Sequence, residues 1–223
     1  MNDLDVAAML CSMMCHDLVS PVGALANGVE ILEEEEDKKI KEQALGLLSH
    51  SAQEASRRLQ FFRLAFGASG GIGAQINLDD AKRVLEGLFE NGKIDLTWNA
   101  PGLSLEKTIV KLLLNMAFAG AESLSRGGAV NVDVTVGGDN ADENSDSSEI
   151  VISVTVSGEK ANIKEDGRGL LTGQADTSDL TTRSVQPYYT WRLAEQLGAK
   201  IKIDTSSENN ISLITTISSN NQN

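Results

Sequence analysis

Two long amphipathic stripes in the first third of the chain constrain its fold more than any other feature. The first stripe repeats at three or four residues from Leu4 to Leu32, and the second follows a heptad pattern from Leu45 to Phe66. The acidic run at residues 33–37 separates them and predicts a hairpin connection. Because two helices cannot close a core alone, the hairpin needs a partner, and a second copy is the simplest one. The pattern therefore predicts a homodimer held together by a four-helix bundle.

A glycine-rich, uncharged stretch at residues 67–73 follows the second stripe and predicts a domain boundary. We therefore expect a helical hairpin at residues 1–70 and a second domain at residues 71–223. Beyond the boundary, alternating valines and isoleucines predict strands with one buried face, and helices lie between them. The predicted helices are 79–91, 104–125 and 187–197, and the predicted strands are 93–99, 130–136, 150–156, 200–204 and 211–217. Helices on one face of a mostly antiparallel sheet make the second domain an α/β sandwich.

The charge of the chain excludes several classes of partner. The chain has 19 Lys and Arg against 32 Asp and Glu, which gives a formal net charge of −13. Such a chain repels phosphate backbones and anionic lipid, so we expect no nucleic-acid partner and no membrane partner.

The sequence also predicts where the protein is found. The two cysteines, the absence of a basic leader and the absence of a long apolar run predict a cytoplasmic protein. The acidic segment at 139–149 lacks the spacing of a calcium loop, and we predict no metal site.

His16 is the residue most suited to chemistry. At 100° per residue, the apolar stripe of the first helix lies between roughly 120° and 240° from His16, so the imidazole points away from the core. Its neighbours on that outer face are Ser12, Ser20, Gly23 and Asn27. These residues are small enough to leave the ring accessible to a large partner, which is what a phosphoacceptor histidine requires.

Neighbouring residues fit the same chemistry. Asp17 can accept a hydrogen bond from one ring nitrogen of His16, which leaves the other nitrogen nucleophilic. Pro21 removes one helical hydrogen bond and is expected to bend the helix. Antiparallel pairing in the hairpin places Arg57 and Arg58 near the level of His16, where one of them could neutralise a phosphoryl group. Solvated charges on the bundle surface are the equal alternative.

The string from His16 to Pro21, His-Asp-Leu-Val-Ser-Pro, resembles the H-box of sensor histidine kinases. The wider string at 15–24, the pair Asn27-Gly28 and the string at 61–67 are similar to those of the ChpT-type histidine phosphotransferases of bacterial phosphorelays. The resemblance implies a dimer in which His16 takes a phosphoryl group from the receiver aspartate of a hybrid kinase and hands it to response-regulator aspartates. Mg²⁺ would come with the receiver. The expected docking residues are Ser12, Ser20, Pro21, Gly23, Asn27, Arg57 and Arg58.

The second domain is similar in its order of elements to the ATP-binding domain of histidine kinases, but its motifs are degenerate. Asn115 keeps one polar position of the N-box, whereas Lys111 stands where another Mg²⁺ partner would be expected. The string at 165–169 mimics an adenine-binding loop with Glu165 in the place of aspartate, and the segment at 184–190 lacks the glycines of an ATP lid. We therefore predict that nucleotide binding is lost and that the protein has no intrinsic cofactor. An ATP-dependent kinase with a divergent lid and a non-catalytic dimeric adaptor stay open as alternatives.

Overall fold

A helical hairpin begins the chain in the computed structural model. The structure describes residues 2–68, 73–90, 92–137, 149–178, 180–205 and 209–218. Helix α1 spans Asp3–Glu34 and helix α2 spans Lys38–Ala65. Asp37 starts α2, since its carboxylate accepts hydrogen bonds from the amides of Lys39 and Ile40 at 2.7 and 3.3 Å. The predicted hairpin is therefore confirmed, and α1 runs without a break through Pro21.

The hairpin buries little of its own apolar surface. The buried residues of α1 are Leu10, Pro21 and Gly28. Gly28 permits close packing of the two helices, because a Cβ at this position would lie 2.8 Å from the side chain of Leu48. Large apolar side chains stay exposed along the hairpin: Leu4, Val19, Val22, Val29, Leu45 and Leu59.

The second part of the chain is an α/β sandwich. Its elements in chain order are β1 (Gln75–Asn77), α3 (Leu78–Phe89), β2 (Ile94–Asn99), β3 (Ser104–Glu106), α4 (Lys107–Glu122), β4 (Gly128–Val136), β5 (Glu149–Ser157), α5 (Glu165–Leu171), α6 (Val185–Gln196), β6 (Lys202–Asp204) and β7 (Asn210–Ser218). The main sheet has the order β2-β4-β5-β7-β6, in which β2 and β4 are parallel and the other pairs antiparallel. Strands β1 and β3 form a separate antiparallel pair.

Helix α4 forms the centre of this domain. It packs across β4, β5 and β7 on one face of the sheet and touches α2, α3 and α6 on its other sides. Alternate residues of the strands meet it, including Val132 and Val154, both fully buried. Gly120 fits the helix onto the sheet, because a Cβ there would lie 2.8 Å from Val156. The second domain therefore has a continuous core, which the end of α2 joins through Phe61, Phe62 and Ala65.

Several elements differ from the sequence predictions. Helix α4 does not begin at Ser104, because Ser104–Glu106 pairs with β1 as a strand and Glu106 caps the helix by accepting from the amide of Thr108 at 3.1 Å. The string at 165–169 lies in the short helix α5 instead of a loop. The centre of the predicted linker (69–72), the residue Asn91, most of the acidic loop (138–148) and the end of the tail (219–223) lie outside the described residues.

Helix α1 is apolar enough, by length and composition, to cross a membrane, with an 18-residue window of mean hydropathy 1.3. Length and composition alone do not decide whether a helix spans a bilayer, so the expectation that no segment does so stays a prediction. In the structure, α1 packs along α2 and touches α6, where Asp3 lies 3.9 Å from Arg192. His16 and Asp17 lie near its midpoint. These contacts are those of an amphipathic helix in a bundle.

Candidate functional site

His16 lies near the middle of α1 with its ring in solvent. Its side chain is 88% exposed, and Nδ1 lies 3.4 Å from Oδ1 of Asp17. When Nδ1–H donates to this carboxylate, the lone pair on Nε2 faces outward and is free to act as a nucleophile. The predicted pairing of a nucleophilic imidazole with an orienting carboxylate is therefore geometrically possible here.

Four of the expected docking residues share the open face of α1 with His16. Ser12, Ser20, Gly23 and Asn27 are all exposed. A Cβ at Gly23 would meet nothing within 4 Å, so the surface beyond His16 is open. Pro21 differs from them, since it lies on the core side of α1 and is buried. The sequence expectation that Pro21 contacts a partner is corrected accordingly.

The two arginines of α2 point to different neighbours. Arg58 lies near Asp17, the neighbour of His16, with Nη1 3.9 Å from Oδ2 of Asp17. Its Nε and Nη2 also donate to the carboxylate of Glu54, at 3.1 and 2.8 Å. Arg57 turns towards the second domain and places Nη2 2.5 Å from the carboxylate of Glu90, at the end of α3. Arg58 is therefore part of the His16 surroundings, whereas Arg57 ties the hairpin to α3.

A groove of about 680 Å³ runs between the start of α1 and the segment that precedes α6. Ser12 lies on its α1 wall, one turn before His16, and the opposite wall is formed by residues 176–178 and Leu180. The second domain thus flanks the exposed face of α1. A smaller cleft of about 190 Å³ lies between α2 and α3 and is bordered by His50, Arg57 and Arg58.

The side chain of Asn115, the asparagine at the expected N-box position, is hydrogen-bonded within the protein. Asn115 is fully buried, and its Nδ2 donates to the backbone oxygens of Ala65 and Lys111, at 3.1 and 2.9 Å. Nε2 of Gln186 donates to the side-chain oxygen of Asn115 at 3.1 Å and to the hydroxyl of Thr190 at 3.0 Å. Both ends of the Asn115 amide therefore serve to join α4 to α2 and α6.

The other residues that the sequence analysis compared with a nucleotide site also make contacts within the protein. Lys111 lies 3.5 Å from the backbone oxygen of Phe66. Burial lowers the pKa of Lys111, the charge of Lys107 lowers it further, and Glu106 opposes both. A second hydrophobic cluster fills the space between α1, α5 and α6: Leu10, Leu170, Leu180, Val185 and Tyr188. Among the residues that the structure describes, no three His, Cys, Asp or Glu side chains are grouped so that they could hold a metal ion.

Three comparisons with known proteins agree. Residues 78–209 match the family model described as the histidine phosphotransferase C-terminal domain. The protein phosphotransferase ChpT of Brucella abortus (strain 2308) is 41% identical over 208 residues, which cover 93% of this chain and 94% of the relative. A solved 1.7 Å structure of a bacterial phosphotransferase has a TM-score of 0.81 at 39% identity, covering 96% of this chain and 97% of that chain.

The chain belongs to the ChpT-type histidine phosphotransferases. It is a protein phosphotransferase of phosphorelay signalling. The resemblance that rested on the strings at 15–24 and 61–67 is confirmed. The family fold is a helical hairpin followed by an α/β domain, as described above.

Sequence reasoning missed one acidic residue of this phosphotransferase. Glu122 is the last residue of α4. Burial raises the pKa of Glu122, the charge of Asp17 raises it further, and the Arg58 guanidinium opposes both. The ion pairs of Arg58 in the described structure go to Asp17 and Glu54, so the charges near His16 act on this carboxyl without a direct ion pair. No sequence signal marks Glu122, because the shift of its pKa depends on how α4 packs against the hairpin.

Proposed function

We propose that this phosphotransferase accepts a phosphoryl group on His16 from the receiver aspartate of a hybrid histidine kinase and passes it to aspartates of response regulators. The exposed ring of His16, with Nδ1 facing Asp17, carries the proposal. The Nε2 lone pair forms the N–P bond while the P–O bond to the receiver carboxylate breaks. Nδ1 keeps its proton against Asp17 throughout, and the reverse step delivers the phosphoryl group to the regulator.

The receiver docks on the open face of α1. The exposed residues Ser12, Ser20, Gly23 and Asn27 surround His16 with little bulk, which supports close approach of a folded domain. Arg58 is the arginine near enough to the site to balance negative charge on the phosphoryl group. Mg²⁺ arrives with the receiver, because acidic oxygen ligands of the kind that hold it belong to the receiver's own pocket.

A second copy of the chain completes the hairpin. Leu45 and Leu59 of α2 are 55% and 54% exposed, and Val22 of α1 is 53% exposed. Soluble proteins seldom leave many large apolar side chains uncovered along one pair of helices. Pairing two hairpins into a four-helix bundle covers these side chains and leaves both His16 rings outside.

The same proposal places the protein in the cytoplasm with two functional parts. Both cysteines, Cys11 and Cys15, are free and exposed, which suits a reducing compartment. Residues 1–70 form the dimerising and phosphoryl-carrying hairpin. Residues 71–223 form a domain that supports the hairpin and docks partners.

We further propose that the second domain does not bind ATP. The buried contacts of Asn115 and the apolar cluster around Val185 and Tyr188 support this view. Calorimetric titration with ATP and Mg²⁺ should give no binding heat. Binding in the micromolar range would instead favour the kinase alternative.

The decisive test of His16 uses a purified receiver domain carrying labelled phosphate. The wild-type protein and His50→Ala should take up label that is lost in acid, as phosphohistidine is, and His16→Ala should take up none. His50 is the matched control, since it is the other histidine of the chain and is also exposed. Labelling of His16→Ala would refute the assignment, and labelling by ATP alone would show a kinase. An unlabelled wild-type protein that still binds its partners would be an adaptor.

A further inference from the structure

Four polar side chains form an ordered series from α2 to the imidazole of His16. Glu54 and Arg58 are one helical turn apart on α2, and Oε1 of Glu54 accepts hydrogen bonds from Nε and Nη2 of Arg58 at 3.1 and 2.8 Å. Nη1 of Arg58 lies 3.9 Å from Oδ2 of Asp17 on α1. The other oxygen of Asp17, Oδ1, lies 3.4 Å from Nδ1 of His16. Asp17 therefore faces Arg58 and His16 with different oxygens.

The guanidinium of Arg58 divides its donors between two carboxylates. Nε and Nη2 lie on one edge of the group, and Glu54 occupies that edge. Such an edge, with two parallel N–H groups, is the part of an arginine that pairs with both oxygens of a carboxylate. Because Glu54 holds this edge, Arg58 presents Nη1 to Asp17, at a distance that gives attraction without a direct hydrogen bond.

Partial burial distinguishes this ion pair from an ordinary surface pair on the same helix. Lys38 and Glu42 have the same spacing on α2, but their side chains are 92% and 67% exposed. The side chains of Arg58 and Glu54 are 34% and 39% exposed, and that of Asp17 is 26% exposed. Charges that are partly withdrawn from water interact more strongly and are screened less by salt. The orientation of Arg58 therefore matters to Asp17.

We propose that Glu54 is a positioning residue for phosphotransfer, which acts by holding Arg58. With Arg58 held, Oδ1 of Asp17 stays with the Nδ1 proton of His16. The inference rests on the proposed function of His16. Without Glu54, the freed edge of the guanidinium pairs with both oxygens of Asp17, a carboxylate already within 4 Å. Nδ1 then loses its acceptor, and the ring moves in part to the tautomer whose proton on Nε2 blocks the nucleophilic lone pair.

Nitrogen NMR of the imidazole tests the positioning without any phosphoryl transfer. Above about pH 8, where imidazoles are neutral, the wild type should carry the proton of His16 mainly on Nδ1. Glu54→Ala should raise the share of the Nε2–H tautomer. Glu42→Ala is the matched control, because it breaks the Lys38 pair of the same spacing on the same helix, and it should keep the wild-type tautomer. Comparison with His50→Ala assigns the signals. An unchanged tautomer in Glu54→Ala would overturn the proposal.

Initial rates of transfer with a labelled receiver domain test the consequence for the reaction. Glu54→Ala should be about threefold to tenfold slower than the wild type, and Glu42→Ala should match the wild type. Glu54→Gln keeps an acceptor oxygen for Arg58 but not the charge, so its rate should lie between those of Glu54→Ala and the wild type. Uptake and delivery should slow by the same factor, because positioning affects both directions. Faster uptake in Glu54→Ala would show that Glu54 acts only through its charge and would overturn the proposal.

A double-mutant comparison shows whether Glu54 acts through Arg58. In an Arg58→Ala background, Glu54→Ala should have no further effect on the transfer rate or on the tautomer of His16. A full effect in that background would overturn the proposal, as would equal transfer rates for Glu54→Ala and the wild type. If the wild type itself takes up no label, the proposed function of His16 fails, and the tautomer in Glu54→Ala still decides whether Glu54 positions the ring.

Discussion

The hairpin and the second domain differ in how much of themselves they bury. Helix α1 buries three of its 32 residues, whereas α4 buries eleven of its 16. The core of the second domain includes the end of α2, through Phe61, Phe62 and Ala65, whereas most of α1 stays at the surface. We proposed above that a second copy of the chain covers the apolar part of this surface and that receivers dock on the polar part around His16.

The polar groups show the same contrast. The ring of His16 lies in solvent with Asp17 as its polar neighbour. Asn115 is fully buried, and both ends of its amide are hydrogen-bonded within the protein. A nucleophile needs a lone pair that is free of hydrogen bonds. A polar side chain buried between helices needs hydrogen-bond partners for its donors and acceptors. This contrast supports the proposal that the hairpin carries the chemistry and the second domain supports it.

The largest effect should come from a charge on the apolar surface of the hairpin. We expect Leu59→Asp to abolish the dimer, because it buries a carboxylate among apolar side chains in the bundle. Leu47→Asp is the control on the same helix. Leu47 is also exposed, at 41% against 54% for Leu59, but it lies on another side of α2. The Leu47→Asp variant should therefore stay dimeric. Light scattering measures both masses. A dimeric Leu59→Asp would show that the apolar surface has another purpose.

The next effect concerns the carboxylate beside His16. Asp17→Asn keeps an acceptor oxygen but loses the charge that holds the Nδ1 proton. Transfer from a labelled receiver should slow by about 10²–10⁴ and stay detectable. Glu30→Gln removes one exposed carboxylate elsewhere on α1 and should leave the rate unchanged. An unchanged rate for Asp17→Asn would remove Asp17 from the mechanism.

A smaller effect is expected in the supporting region. Asn115→Ala takes the Asn115 donor from the buried oxygen of Ala65 and removes one of the acceptors of the Gln186 amide, which keeps Thr190, and this should lower the free energy of unfolding by about 1–3 kcal/mol. Asn99→Ala, which loses hydrogen bonds on the exposed face of the sheet, should change it by at most about 0.5 kcal/mol. Chemical denaturation measures both values. Equal values would mean that the buried joint adds no stability.

The smallest effect is steric and is confined to the docking face. Gly23→Arg should weaken receiver docking about tenfold, while phosphoramidate still modifies His16. The matched control is Gly46→Arg on α2, because a Cβ at either glycine would meet nothing within 4 Å and both positions tolerate a side chain in the isolated chain. Docking affinity and phosphohistidine content are measured for each. If neither the phosphorylated receiver nor phosphoramidate modified His16 in Gly23→Arg, the substitution would have distorted the site instead of blocking access to it.

The sequence is enough to predict the helices and strands whose hydrophobic pattern lies within a single segment. The stripes of α1 and α2 and the alternation of β4 and β5 each follow from periodicity within one segment, and the structure has all four. The outward direction of His16 follows from the same helical geometry. These predictions needed no knowledge of which elements touch.

The features that could not be predicted depend on contacts between segments. Strands β1 and β3 have three residues each and form only by pairing with each other. Helix α5 contains Gly167 and Gly169, which weaken any helix signal. Pro21 was expected at the docking surface because of its place in the string, but its side of α1 faces the core.

The central claim is that His16 alone carries the phosphoryl group between receivers. The direct measurement mixes a labelled receiver domain with an unlabelled one and follows label appearing on the second in the presence of this protein. We predict transfer with the wild type and His50→Ala, and none with His16→Ala. Transfer between the receivers with His16→Ala at the wild-type rate would contradict the account.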